Sequence, residues 1–417
     1  MEISTLGALI GLAVAIILII KKFEPAYSMI LGALIGGIVG GAGLQNTVSC
    51  MIVGAQDIMT AVIRIIASGV LAGTLIKSGA AAKIADQIIK VLGEKRALFA
   101  LALSTMILTG VGVFGDVAVI TVAPIAISLG NKLGYSKFVL LAAMVGGEKA
   151  GMVISPNPNT IAAAENFGVG LSSLMIAGLI PGIIGLIITV VITTILSKKH
   201  KGKTVDILSN EETEVDMPSL LGAIAGPIVV IILLMLRPIV GITVDPLVAL
   251  PIGGIVGILC MNKTKYTKDY LSFGLGKMMP VAILLMGTGT ISGIIKTSQL
   301  QYDMTAVLEF MNLPEFLLAP ISGTLMGAAT ASSSAGATIA SSTFAGTITQ
   351  VVTPLAGAAM LHAGTIVLDT LPHGSFFHAS AGSVGMSVSE RMKLLPIDLI
   401  IGLTITIAST IIYGIIL

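Results

Sequence analysis

Long apolar runs alternate with short polar segments along the whole chain. The first run, residues 3–20, contains no charged side chain, and a helix needs ~20 apolar residues to cross a bilayer. Runs of this kind predict an all-α polytopic membrane protein with about ten to fourteen membrane segments. The first run has no basic segment before it and no small-residue cleavage site after it, so we expect it to be a retained span.

Composition narrows the class further. Of 417 residues, 55% are hydrophobic and 11% are charged, against roughly 25% charged residues in soluble proteins. These values exclude a soluble enzyme, a disordered chain and a nucleic-acid partner. They also exclude an outer-membrane barrel, whose strands alternate polar and apolar residues. The net charge of +2 carries no information about partners.

Matching sequences recur in the same order in the two halves of the chain. IGGIVG at residues 35–40 returns at residues 252–257, and three further glycine and proline matches keep offsets between 215 and 220 residues. Self-similarity of this kind indicates an internal repeat. We therefore predict a first repeat over residues 1–197, a linker over residues 198–217 and a second repeat over residues 218–417.

The basic residues predict that the two repeats have inverted topology. Residues 83–96 carry four Lys or Arg, whereas the corresponding residues 297–315 carry none. Conversely, Lys263, Lys265 and Lys268 follow the second IGGIVG, whereas no basic residue follows the first IGGIVG until Arg64. Because Lys and Arg favour cytoplasmic loops, we predict a cytoplasmic linker and both termini outside.

Each predicted repeat has about five transmembrane helices and one hairpin. The hairpins cover residues 97–130 and 316–350, and their arms of some 15 residues are short for a full crossing, so we interpret them as re-entrant. Two ordinary tilted spans would give the same sidedness, and that alternative stays open. Interfacial amphipathic helices are expected over residues 80–96 and 301–314.

Interrupted spans at matching places are the best sequence pointer to a transporter's binding site. Residues 138–168 and 355–385 are predicted broken helices, interrupted at SPNPNT and at LPHGS. Proline removes backbone donors, and the helix beginning after the break favours an anionic ligand. The substrate-binding candidates of these breaks are Asn157, Asn159, Thr160, His373, Gly374 and Ser375. A simple proline kink is the structural alternative.

The hairpin tips form a second matching pair. Ser332, Ser333 and Ser334 make a hydroxyl cluster that could bind substrate, although small residues also serve close helix packing. At the other tip, Asp116 is a carboxylate between apolar runs, and such a residue is a functional candidate by default. An interfacial cap is its alternative role.

Several further ionisable residues lie in apolar context and are candidates for proton coupling. With Asp116, the set is Glu148, His362, Asp369, His373 and His378, and histidine titrates near neutral pH. Glu148 and Lys149 diverge by about 100° on a helix, so we expect one of them to pair with a neighbouring helix. No cofactor and no metal-ligand spacing are indicated. Sodium stays possible, because backbone carbonyls can hold it.

Three segments resemble the gluconate permease (GntP) family. They are SPNPNTIAAAENFG at residues 155–168, GAATASSSAGATIASSTFAG at residues 327–346 and LPHGSFFHASAGSVGMSVSERMKLLP at residues 371–396. The resemblance implies bacterial sugar-acid:proton symporters of the ion transporter superfamily, with inverted repeats, elevator motion and a homodimeric state. It also implies substrate contacts at Asn157, Asn159, Thr160, Ser332 to Ser334, Thr338, His373 and Ser375. Departures at residues 157–159 and 374–377 make a smaller hydroxy acid as good a candidate as gluconate.

The leading hypothesis is therefore a proton-driven importer of small organic acids in the bacterial inner membrane. The chain has no G-x-x-x-x-G-K-[ST] fingerprint for ATP, which leaves ion gradients as the energy source. A cation/proton antiporter and a sodium-coupled carboxylate transporter are the alternatives. An intramembrane hydrolase built on Ser383 is disfavoured, since the G-x-S-x-G spacing is missed by one residue. A channel is disfavoured as well, because a pore needs no paired site.

Overall fold

Helices make up the regular structure of the chain. A computed structural model describes residues 3–21, 23–199, 217–300, 303, 314–372 and 374–416. Within these residues, β-type pairing is confined to one bridge between Ile3 and Ser298. The predicted all-α class is confirmed. Most of the predicted linker and most of the interfacial segment 301–314 lie outside the described residues.

The first half begins with seven helices that lead through the first predicted hairpin. They are α1 (Thr5–Ile20), α2 (Pro25–Val39), α3 (Gly43–Asp57), α4 (Met59–Lys77), α5 (Ala80–Leu92), α6 (Ala97–Gly110) and α7 (Gly115–Leu133). It continues with α8 (Lys137–Met152), α9 (Pro158–Asn166), α10 (Leu171–Ala177) and α11 (Leu179–Lys199). Local chemistry sets several boundaries: proline opens α2 and α9, where its missing N–H costs nothing.

The described part of the second half is helical as well. It contains α12 (Leu220–Val240), α13 (Pro246–Cys260), α14 (Thr267–Lys296), α15 (Leu318–Thr330) and α16 (Ser333–Ile348). The remaining helices are α17 (Pro354–Thr365), α18 (Ser375–Ser383), α19 (Val388–Met392) and α20 (Leu395–Ile411). Thr353 caps α17 by accepting a hydrogen bond from the Ala356 N–H.

Many of these helices are apolar enough to lie in a membrane. By length and composition, five described stretches could cross one: Met59–Lys77, Gly115–Leu133, Leu171–Lys198, Thr264–Lys296 and Val388–Ile416. Large apolar side chains also face outward, among them Leu221 at 79% and Ile239 at 75% exposure. Exposed apolar surface of this extent marks contact with lipid or protein. The chain is a multi-pass membrane protein.

The lengths of the hairpin arms differ from the sequence estimate at one place. α7 has 19 residues, longer than the arms of some 15 residues expected for the hairpin at residues 97–130. This length lies within the range of about 17–25 residues that can cross a membrane, so re-entry of this hairpin stays a prediction. The hairpin at residues 316–350 has shorter arms, of 13 and 16 residues.

The helices pack as two groups. The scaffold group consists of α1 to α4 and α12 to α14, whose strongest contacts are with one another. The hairpin group consists of α6 to α9, α11, α15 to α18 and α20. The groups meet mainly where α14 runs along α16, and there the Ser292 hydroxyl donates to the Ser342 carbonyl over 2.7 Å.

Glycine allows the helices of the scaffold group to approach closely. A Cβ atom added to Gly54 of α3 would lie 2.2 Å from the Gly289 carbonyl oxygen of α14. One added to Gly73 of α4 would lie 2.2 Å from the Tyr270 carbonyl oxygen of the same helix. Small residues are how membrane helices gain packing contacts without a hydrophobic driving force between them. These contacts fix α14 against α3 and α4.

Candidate functional site

The first half contains a helix that stops inside the hairpin group and restarts after five residues. α8 ends at Met152 and α9 begins at Pro158, and we call residues 153–157 the first break. Pro156 and Pro158 each lack a backbone N–H and cannot continue α8. Asn157 between them is extended, with φ −78° and ψ 164°, and is buried.

The second half has a corresponding interruption. α17 ends at Thr365 and α18 begins at Ser375, and we call residues 366–374 the second break. Gly374 is extended at its end, with φ −92° and ψ 152°. Both breaks fall inside the segments that the sequence predicts to be broken helices.

Two tight turns reach the same region. Residues 111–114 join α6 to α7, and residues 331–332 join α15 to α16; we call them the first tip and the second tip. Ala331 adopts a left-handed conformation, with φ 45° and ψ 43°. Ser332 then caps α16 by accepting a hydrogen bond from the Ala335 N–H over 3.3 Å.

A cavity of about 250 Å³, lined by charged and hydroxyl side chains among apolar ones, lies where the tips meet residues beside the breaks. Seven of the predicted site residues line it: Asp116, Glu148, Ser332, Ser333, Ser334, Asp369 and Ser375. We call this space the central cavity. A wider and more apolar cavity of about 580 Å³ shares Ser332, Ser334 and Ser375 with it and extends to Glu24 and Pro25 at the start of α2.

Three helices begin at the wall of the central cavity. Gly115, Ser333 and Ser375 are the first residues of α7, α16 and α18, and all three line the cavity. The first turn of a helix presents unpaired N–H groups and a partial positive charge of about half an elementary unit. Three such ends around one space, with serine hydroxyls beside them, form a site suited to an anion.

The lining also carries full charges. Asp116 comes from α7, Glu148 from α8 and Asp369 from the second break, while Lys277 comes from the middle of α14. Among the described residues of this lining, Lys277 is the one cation, and its Nζ lies 3.7 Å from Asp116 Oδ2. The scaffold group therefore contributes an ammonium to a cavity built otherwise mainly from the hairpin group.

A second polar cluster lies away from the lining and is buried. His362 Nε2 lies 2.9 Å from Asn159 Nδ2 and 3.4 Å from Thr160 Oγ1. Asn157 Nδ2 reaches the Val113 carbonyl of the first tip at 3.5 Å. These contacts join the first break to α17 and to the first tip. The asparagines and Thr160 thus support the cavity wall and are not among the residues that line it.

The remaining predicted residues lie in different surroundings. Thr338 is buried on α16, and its hydroxyl has no partner within the described part of the chain. His378 is exposed, with Nε2 2.8 Å from the Pro372 carbonyl oxygen. Gly374 is buried against Ala331 of the second tip. His373 lies outside the described residues.

Two lysines belong to this region although the candidate set did not include them. Lys277 could have been identified from the sequence, because an isolated cation in the middle of a long apolar helix is a functional candidate. Lys149 is fully buried and forms an ion pair with Asp369. The expectation of a partner on a neighbouring helix is thus met only in part, because Lys149 pairs with a residue of the second break and not of a helix.

A smaller cavity of about 100 Å³ surrounds Arg64 of α4, and we do not assign it as the site. Arg64 already forms ion pairs with Glu165 of α9 and Asp245 before α13. Its hydrogen bond holds the pKa of the Asp245 carboxyl below the ordinary value. With its charge balanced by two carboxylates, Arg64 connects the scaffold group to α9.

Close contact between the second tip and the second break should be essential for transport. A Cβ atom added to Gly374 would lie 2.3 Å from the Ala331 carbonyl oxygen. Overpacking costs about 1–3 kcal/mol, so we expect Gly374→Ala to reduce the rate of substrate uptake about tenfold. The matched control is Gly382→Ala on α18, where an added Cβ meets no atom within 4 Å. Equal uptake by both variants would contradict this role of Gly374.

Within the described residues, no group of three or more His, Cys, Asp or Glu side chains is arranged to hold a metal ion. The lining of the central cavity itself offers an ammonium, carboxylates, hydroxyls and helix N-termini.

Apolar helices, two broken helices and a polar cavity at their junction define this chain as a helical membrane transport protein. Comparison with known families identifies it more closely: the chain belongs to the GntP permease family, whose model matches residues 3–416. The family predicted from the three motifs is thereby confirmed, and the chain is a permease.

Known relatives agree with this family, and one solved structure is similar in fold. An uncharacterized transporter of Haemophilus influenzae is 54% identical over 99% of both chains. A gluconate permease of Zymomonas mobilis is 22% identical over 93% of this chain and 92% of its own. The crystal structure of the Alcanivorax borkumensis YdaH transporter, described as having an unusual topology, is similar in fold. Its TM-score is 0.66 at 15% identity, over 90% of this chain and 89% of that one.

Proposed function

We propose that this permease imports small organic acids by proton symport with an elevator-type motion. The observation that carries the proposal is the central cavity, where three helix N-termini and Lys277 surround a small polar space. A carboxylate is the anion that this arrangement suits, because it can accept hydrogen bonds from N–H groups, hydroxyls and an ammonium together.

The serine cluster favours a hydroxylated acid. Ser332, Ser333, Ser334 and Ser375 line the cavity beside the helix N-termini, and hydroxyls both donate and accept hydrogen bonds. A substrate with one carboxylate and several hydroxyls would satisfy both kinds of group. Gluconate, the substrate named for the Zymomonas relative, and smaller hydroxy acids such as glycerate have this chemistry.

The arrangement of the helices supports the elevator motion. The hairpin group carries both tips and both breaks, whereas the scaffold group contributes mainly α14 to the cavity. Movement of the hairpin group along α14 would carry a bound acid across the membrane. The wider cavity reaches Glu24, next to Lys21 and Lys22, which the predicted topology places in the cytoplasm of a bacterial inner-membrane protein. We infer that the described conformation faces inward.

This proposal includes the two inverted repeats, the cytoplasmic linker, the external termini and the homodimer. The paired order of long helices, tips and breaks in the two halves supports the repeats. The alternative functions are a sodium-coupled carboxylate transporter and a cation/proton antiporter. The three acidic residues of the central cavity are the observation that favours these alternatives.

The test begins with a thermal-shift screen of small organic acids, followed by transport in proteoliposomes. We expect D-gluconate or D-glycerate to raise the unfolding temperature, and the labelled acid to exchange by counterflow and accumulate under an imposed proton gradient. Sodium-dependent proton release without acid exchange would instead establish the antiporter. A purified, folded protein that exchanges no tested acid would contradict the proposal.

Removing a serine hydroxyl from the cavity should weaken substrate binding. Ser333 is the first residue of α16 and lines the central cavity. A hydrogen bond to a charged group contributes about 1.5–3 kcal/mol, so we expect Ser333→Ala to raise the Km at least tenfold. Ser342→Ala is the control, because Ser342 is a buried serine on the same helix whose hydroxyl donates to the Ile339 carbonyl. Identical Km values for both variants would exclude Ser333 from the site.

A further inference from the structure

Lys149 occupies an unusual position between the two broken helices. It lies one turn before the end of α8, and its side chain has 0% exposure. Its Nζ donates to the carbonyl oxygen of Ile366 and to Oδ1 of Asp369, both in the second break. One ammonium therefore joins the end of one broken helix to the interruption of the other.

The two oxygen atoms that Lys149 contacts are the kind that hold a cation. Ile366 is the C-cap residue of α17, and the carbonyls at a helix C-terminus carry partial negative charge. Unwound carbonyls and helix C-terminal ends in broken transporter helices coordinate coupling ions such as sodium. Asp369 adds a carboxylate whose side chain is 6% exposed. A bare cation would find the same ligands here if the lysine side chain were absent.

We propose that the Lys149 ammonium is a built-in cation that takes the place of a sodium ion at the junction of the two breaks. Transport by this chain then needs no sodium, and the pair of Lys149 with Asp369 carries the coupling proton. The inference rests on the proposed function, and it assigns the coupling to one pair among the several ionisable candidates.

Most of the other ionisable groups around the pair already have partners of their own. Glu148 and Asp398 are the other carboxylates that act on it electrostatically. Asp398 is neutralised by Arg391 at 2.7 Å, and Asp116 faces Lys277. His362, on the adjoining α17, is engaged with Asn159 and Thr160. Glu148 lines the central cavity and gives the proton a path from the solution.

The proton balance of the cycle is simple. On the outside, a proton from the solution binds the Lys149 amine to form the ammonium, which bridges Ile366 and Asp369 and closes the junction of the breaks. On the inside, the ammonium returns that proton to the cytoplasm, so the bridge weakens and the breaks can separate. One proton enters and one proton leaves, without any change of covalent bonds in the substrate.

Two variants of the pair test this assignment. Lys149→Arg keeps a cation that does not titrate, and the double variant Lys149→Met with Asp369→Asn removes both charges without leaving one unpaired. Each is compared with wild type in proteoliposomes for counterflow of labelled D-gluconate and D-glycerate. The second readout is accumulation driven by a proton gradient, with choline chloride or sodium chloride as the salt.

We expect wild type to accumulate the acid equally well in both salts. Relative to its own counterflow, each variant should lose at least tenfold in proton-driven accumulation, and the pH dependence of exchange should be lost. Sodium-dependent accumulation by wild type, or full proton-driven accumulation by either variant, would overturn the inference and leave acid transport standing. Failure of wild type to exchange any acid would overturn both proposals.

Sodium binding gives a readout that does not depend on transport. In Lys149→Ala the side chain no longer fills the site, so sodium chloride should raise the unfolding temperature relative to choline chloride. Wild type should show no such rise. A folded Lys149→Ala protein without any response to sodium would contradict the assignment of this position as a cation site.

Discussion

Replacing Lys277 by methionine should raise the dissociation constant for the transported acid about 100-fold. The ammonium lies in the wall of the central cavity, and its side chain is 40% exposed. A charged donor to a carboxylate contributes about 1.5–3 kcal/mol, and the upper value corresponds to roughly two powers of ten in affinity. Methionine keeps the length of the side chain, so the change removes charge rather than volume.

Asp116, the neighbour of Lys277, makes the expected loss of substrate affinity larger. Asp116 Oδ2 lies 3.7 Å from the ammonium, and without that ammonium its negative charge would repel an anionic substrate. We therefore expect the double variant Lys277→Met with Asp116→Asn to recover part of the affinity, to within about tenfold of wild type. A purely structural role for Lys277 would not produce this recovery.

The matched control for Lys277 lies on the same helix. Lys268 is an exposed lysine near the start of α14, and Lys268→Met should leave the dissociation constant within twofold of wild type. Scintillation proximity binding on purified protein measures the constants directly, without the need for a coupled gradient. An unchanged dissociation constant in Lys277→Met would exclude the lysine from substrate binding.

Local chemistry in the sequence is sufficient to locate the breaks and the tips. Pro156 and Pro158 cannot continue a helix, and the tip with Ser332 to Ser334 is marked by small polar residues between apolar runs. The structure interrupts the helices at these places. Such positions depend on a few neighbouring residues, so they can be predicted without knowledge of tertiary contacts.

The direction of each side chain could not be predicted in the same way. Asn159 and Thr160 follow Pro158 directly, yet they face His362 and are absent from the lining of the central cavity. Which side a residue of α9 presents depends on the rotation of that short helix against α17, and this is decided by packing. His378 shows the same limit, because the sequence groups it with His362 whereas the structure exposes it.

Sequence patterns mainly fail to identify ion pairs between residues that are distant in the chain. Lys149 and Asp369 are 220 residues apart, and each alone is an isolated charge in an apolar context. The cost of burying a charge predicts that each needs a partner, but it does not name that partner. Lys277 met the same criterion in a long apolar helix, and its partner Asp116 also became evident only in the folded chain.

The largest loss of stability should come from Arg391→Met. Arg391 and Asp398 form a pair at 2.7 Å, with side-chain exposures of 0% and 1%. Removal of one partner of a buried ion pair costs about 3–5 kcal/mol, because the other charge remains buried without compensation. For a protein of this size, we expect the unfolding midpoint in detergent to fall by roughly 3–6 °C.

Arg391 also fixes the helix that begins at the central cavity. Its Nε donates to the Ser380 hydroxyl over 3.2 Å, and its guanidinium lies 5.3 Å from the centre of the Phe377 ring. Both partners belong to α18, whereas Asp398 belongs to α20. The pair therefore connects the helix of the second break to the last long helix of the hairpin group.

The charge-free double variant separates stability from function at this place. Arg391→Met with Asp398→Leu removes both buried charges, and replacements of this kind are often neutral in stability, so the midpoint should return to within about 1 °C of wild type. Lys393→Met, an exposed neighbour, is the control for loss of a cation. If α18 is positioned by Arg391, the stable double variant should still transport poorly. Full recovery of both the unfolding midpoint and substrate uptake would show that the Arg391–Asp398 pair does no more than offset the cost of burying its two charges.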